Sequence, residues 1–153
     1  MKRLGLLFGI ALVLVTLPIT VVMAKPGGGP MHGSQGWGPG GDYHRMYDPA
    51  TVVSVSGEVI AYEQFSPAKG MGNGVHLKLK TDAGEIDIHL GPSWYIENQD
   101  IQFSIKDKIT VKGSKVTFEN KPAIIAAEVT KGDQVLKLRD DNGFPVWAGW
   151  RNK

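Results

Sequence analysis

The chain has 153 residues, 42% hydrophobic and 21% charged, which fits one packed domain and excludes wholesale disorder. It contains no cysteine, which excludes disulfides, thiolate metal centres, thiol catalysis and covalently attached c-type haem. The formal charge of +2 comes from Lys2 and Arg3, since the 17 basic residues less these two equal the 15 acidic ones, and a balanced remainder lacks the broad positive field of a nucleic-acid binder.

Residues 1–24 read as a signal peptide. Met1-Lys2-Arg3 is a short cationic start, and residues 4–22 form an apolar run. Val22-Met23-Ala24 then presents small or apolar groups for cleavage after Ala24. The competing reading is a retained anchor, because the run is nearly long enough to cross a bilayer. Pro18, late in the run, and the small Ala24 favour cleavage. The exported chain is expected to work in the periplasm, and the lack of a following cysteine excludes a lipoprotein.

Residues 25–47 read as a Gly/Pro-rich flexible linker, with eight glycines and three prolines between Lys25 and Gly41. The G-x-G-x-G spacings at Gly36 and Gly70 do not follow a strand and open a helix, so neither is a phosphate loop.

Residues 48–153 read as an all-β, OB-fold-like domain. A long strand is expected over 51–65, with Gly57 marking a bulge or bend. Strands 75–80 and 85–90 flank the turn Thr81-Asp82-Ala83-Gly84. Setting Lys80 opposite Glu85 makes facing residue numbers sum to 165. Leu79/Ile86, Leu77/Ile88 and Val75/Leu90 then share the core face, while Lys80/Glu85, Lys78/Asp87 and His76/His89 share a polar face.

Gly91-Pro92 breaks the sheet and permits a short helix over 93–99. Strands follow at 108–112, 116–118 and 123–130, with a turn at 119–122. The last hairpin pairs 134–139 with 144–150 around Asp140-Asp141-Asn142-Gly143. This order predicts a five-stranded Greek-key barrel with one short helix and a C-terminal β-hairpin extension. The helix between the third and fourth strands argues against an open sandwich.

The runs GEVIAYEQFSP, HLGPSWYIENQ, KDKITVKGS and LKLRDDNGFPVWAGW resemble a family of small exported bacterial OB-like proteins carrying the magnetosome MamS/MamX-type domain. The resemblance spans residues 47–151. Members are often labelled loosely as DNA-binding, a label that rests on fold alone. Some magnetosome relatives add CxxCH haem motifs, and the absence of cysteine keeps that role from carrying over.

His76 and His89, expected opposite each other, are the candidate metal pair, with Met71 as a third donor for copper, nickel, zinc or iron. The bland alternative is two solvated histidines. Met31, Met46 and Met71 each lie within five residues of His32, His44 or His76, a soft ligand pattern suited to copper. The polar face of the 75–90 hairpin carries no aromatic, so it offers no stacking platform for single strands. Lys69, Lys112, Lys115 and Lys121 are read as solvated lysines on the loops.

Asp140 to Gly143 lacks calcium-loop spacing, because Leu138 stands at the first ligand position, so it reads as a hairpin turn. Trp147 is read as covering the barrel's open end, as is Trp150. No catalytic motif occurs. The expected function is a non-catalytic periplasmic binding or accessory module meeting another periplasmic or membrane-associated protein. Metal trafficking through His76 and His89, or oligonucleotide or oligosaccharide binding in the barrel groove, are the alternatives.

Overall fold

In a computed structural model, residues 20–22 and 35–148 are described. The chain runs β1 (Thr20–Val22), α1 (Asp42–Arg45), a 3-10 turn (Pro49–Thr51), β2 (Val52–Phe65), β3 (Gly74–Thr81), β4 (Gly84–Pro92), α2 (Ser93–Ile96), β5 (Lys108–Phe118), β6 (Lys121–Lys131) and β7 (Gln134–Lys137). Strand β2 pairs with β3 and β5, β3 with β4, β4 in parallel with β6, and β6 with β5. These pairings join β2 through β6 in a ring whose connectivity is the OB-fold Greek key.

Strand β2 serves both sides of the ring. Its first half pairs with β5 from Val52 to Glu58, and its second half with β3 from Glu58 to Phe65. Gly57 sits at the changeover because a Cβ there would run into the Lys80 carbonyl oxygen. The register shift lies further on, between Val59 and Ala61.

The β3–β4 register follows the expected sum from His76/His89 to Thr81/Gly84. It slips by one at Val75, which faces Gly91 rather than Leu90. Leu77, Leu79, Ile88, Val111, Ile124 and Val129 are fully buried in the core, each burial stabilising the fold by roughly 1.5–3 kcal/mol.

Two expected strands, 108–112 and 116–118, are one strand, β5, so 113–118 belongs to the sheet and not to a loop. The reversal into β6 is the tight pair Glu119-Asn120, both at positive φ. The last hairpin is shorter than expected. Beyond β7, among the described residues, its return arm contributes the single bridge Arg139–Pro145, flanked by the Asp140 amide on the Phe144 carbonyl and the Val146 amide on the Leu138 carbonyl. Asp140 Oδ1 accepts the Asn142 and Phe144 amides at 2.9 Å, closing the turn.

The expected linker departs most from expectation. Residues 25–34 lie outside the described residues, but from Gln35 the chain packs on the barrel, burying Trp37, Tyr43 and Tyr47. Glycine-rich composition masked three aromatics, whose burial outweighs the entropy of ordering the segment. The signal-peptide reading falls largely outside the described residues, of which only β1 belongs to it.

Candidate functional site

The β3–β4 hairpin brings His76 and His89 together as expected, with ring centroids 5.3 Å apart and planes at 63°. Their surroundings are not the solvated face that alternation predicted. That face grades from exposed Lys80 and Glu85 through half-buried Lys78, Asp87 and His76 to His89, which is 1% exposed. His76 Nε2 lies 3.1 Å from Asp87 Oδ1, and Lys78 Nζ lies 3.7 Å from the same oxygen.

His89 is enclosed by rings. Phe65, at the end of β2, lies 4.6 Å from it, and Phe118, at the end of β5, lies 4.8 Å away. Burial pushes the His89 imidazole down to about 3; His76 adds to the fall and Asp87 opposes it. The ring is therefore neutral at ordinary pH. Burial also pushes the Tyr43 phenol up, so its hydroxyl stays protonated, and it shares a hydrogen bond of 2.9 Å with His89 Nδ1.

An aromatic platform thus exists on the outer face of β3–β4, but its rings come from neighbouring strand ends. Phe65 and Phe118 stand 6.2 Å apart, edge to face, and both pack against His89. Each precedes a turn, and the ring closure brings those two turns to one end of the barrel.

Over this platform lies a strap formed by residues 35–47. Its Gln35 carbonyl accepts the Gly72 amide at 2.8 Å, and the Trp37 indole donates to the Gly72 carbonyl at 2.9 Å. Trp147, in the C-terminal turn, donates its indole N–H to the Trp37 carbonyl at 2.9 Å. The two indoles are 6.4 Å apart and rest on Gly74 and Gly91, where Cβ atoms would collide with them. Trp147 covers the barrel end as expected, while Trp150 lies outside the described residues.

Met71 does not complete a ligand set in any contact seen here: its side chain lies against Gly36 and packs on the core. Met46 also packs on the core, and Met31 and His32 are outside the described residues. Among the described residues, no group of three or more His, Cys, Asp or Glu side chains is placed to hold a metal ion.

Arg139, which no motif singles out, is a buried cation at the C-terminal end of the described residues. Its Nη1 donates to the Leu90 carbonyl at 3.2 Å and to the Ala126 carbonyl, tying the segment after β7 to β4 and β6. The guanidinium also lies 4.9 Å from the Trp147 ring centroid. Burial pulls it down to about 10, opposed by Tyr43 and Tyr47, so it remains charged. An arginine next to an acidic tetrad reads as a turn flank, which is why sequence alone passed over it.

On the outer surface, an open groove of about 460 Å³ runs across β5, β6 and β7. Tyr47, Val52, Ala127 and Val146 give it apolar lining. Lys112 and Lys137 stand there beside Glu128, Asp140 and Asp141, so neither sign of charge dominates.

The family model of the MamS/MamX magnetosome protein family matches residues 51–136, more than half of the chain. No curated protein matches. Among solved structures, the second OB-fold domain of replication protein A from Methanococcus maripaludis is 23% identical, covering 55% of this chain and 86% of that one at a TM-score of 0.40. Among the described residues, no helix is long and apolar enough to cross a membrane.

Proposed function

The chain belongs to the MamS/MamX magnetosome protein family, and from that premise we propose that it is a non-catalytic, exported accessory module that holds another envelope protein. The observation that carries this reading is the groove across β5–β7. An apolar lining with lysines and carboxylates interspersed suits a polypeptide, whose side chains carry both signs. A phosphate polymer would meet Glu128, Asp140 and Asp141 as repulsion and would find no continuous basic track. The aromatic platform on β3–β4, the other surface able to stack a ligand, is covered by the chain's own strap. The Tyr43–His89 hydrogen bond and the bonds of Arg139 to backbone carbonyls support a packing role for these perturbed groups. The periplasm is the compartment this reading requires.

The experiment is site-specific photocrosslinking in the producing cell, with a photoreactive residue placed at Val146 or Lys112 in the groove, or at exposed Ile105 outside it. One envelope protein crosslinked from both groove positions and not from Ile105 is the expected result. Crosslinks to nucleic acid alone, or none from the groove, would overturn the proposal.

A further inference from the structure

A closed β-ring has no free edge, since every strand in it has two neighbours. Strand β7 creates one. It lies outside the ring and pairs on one side with β6, from Glu128/Lys137 to Lys131/Gln134. On its other side the structure seats β1, parallel, with Thr20 opposite Gln134, Val21 opposite Val135 and Val22 opposite Leu136. What covers this edge is therefore visible, and it belongs to the segment that the sequence reads as removable. Cleavage after Ala24 takes away all of β1 and uncovers the backbone groups of β7 that it paired.

We infer that the outer edge of β7 is a strand-addition site, filled by Thr20–Val22 in the precursor and taken after cleavage by an extended segment of a partner protein running parallel to β7. The seated segment defines the chemistry. It is short, uncharged and β-branched, and it offers backbone N–H and C=O groups to β7. Strand addition of this kind draws affinity from main-chain hydrogen bonds and selectivity from alternate side chains. A segment interrupted by proline could not complete the ladder. Lys137 both ends β7 and lines the groove proposed above, so an added strand would border that groove. The inference deepens the reading of the chain as a protein-binding module, but its test does not depend on the groove.

The test uses the full 153-residue chain and its Val21→Pro variant, with hydrogen exchange of the Gln134–Lys137 amides followed by NMR. The variant should lose protection at those β7 amides that do not bond to β6, while the near-ultraviolet circular dichroism of the buried tryptophans stays unchanged. Adding a synthetic peptide of residues 19–24 with a solubilising tail should restore that protection. The same peptide N-methylated at Val21 should not. Unchanged exchange in the variant, or protection that no peptide restores, would overturn the inference. An exchange result at β7 without groove crosslinks would sink only the groove reading, and the converse would sink only this one.

Discussion

The Tyr43 hydroxyl and His89 Nδ1 share a hydrogen bond of 2.9 Å, joining the strap to a histidine that the hairpin buries on the face opposite its aliphatic core. Replacing Tyr43 with phenylalanine keeps the ring and removes the hydroxyl, leaving Nδ1 desolvated without a hydrogen bond. The expected cost is about 1–3 kcal/mol, the usual penalty for orphaning a buried polar atom. Urea denaturation should show a lower midpoint with an unchanged slope. A midpoint equal to that of the parent chain would mean that the hydrogen bond contributes nothing net.

His89 also fixes the direction of the pH dependence. Its folded pKa, about 3, lies below the unfolded value of 6.5. Between those values the unfolded chain binds the extra proton, so stability rises with pH. The fold is at full strength above about pH 6.5 and weakens as pH falls through the window toward 3, by up to about 1.4 kcal/mol per unit. His89→Gln supplies an acceptor that does not titrate. Denaturation between pH 6.5 and 5, above the ordinary carboxylate range, should show a clear slope in the parent and a flatter one in the variant. Equal slopes would show that His89 is not the group responsible.

How much of this was legible depended on the range of the interaction. Lys80/Glu85, Lys78/Asp87 and His76/His89 were legible because a two-residue period with complementary charges admits one register. The order of the ring strands followed from turn residues and the short helix after Pro92. The burial of His89 was not legible, because Phe65 and Phe118 reach it from strands 24 and 29 positions away in sequence, and only ring closure brings them there. The strap was hidden differently. Trp37 stands among glycines with no period, while Tyr43, Met46 and Tyr47 carry an i, i+3, i+4 spacing of a single turn, too short to stand out beside the glycine run. Gly74 and Gly91 did carry a signal, since a glycine within a strand often marks close approach, here by an indole.

The two imidazoles are not expected to form a tight metal centre. Tyr43 engages His89 Nδ1, His76 Nε2 sits beside Asp87, and two nitrogens alone fall short of the usual four ligands of zinc. Titrating the chain with zinc, copper or nickel while following the imidazole NMR signals should leave the His89 ring in place. A saturable one-to-one shift of both rings would revive the metal-trafficking reading and require the strap to open.

The fit of Trp37 over Gly74 gives the most direct test of the strap. A Cβ at Gly74 would run into the far edge of the Trp37 indole and come within 3.1 Å of the Gly91 carbonyl oxygen. Trp37 is held at its indole by the N–H bond to Gly72 and at its backbone carbonyl by the Trp147 indole, so it has little room to shift. Gly74→Ala should therefore lift Trp37 from the barrel at a cost of about 1–3 kcal/mol, the usual range for overpacking. Gly40→Ala is the control, because nothing lies within 4 Å of a Cβ there. Tryptophan emission should move to longer wavelength and acrylamide quenching should increase in the first variant alone. With the strap lifted, His89 gains access to water, and its NMR titration should move up from about 3 toward the ordinary value of 6.5. An unchanged His89 titration in a Gly74→Ala chain with exposed Trp37 would show that Phe65 and Phe118 suffice to bury the imidazole without the strap.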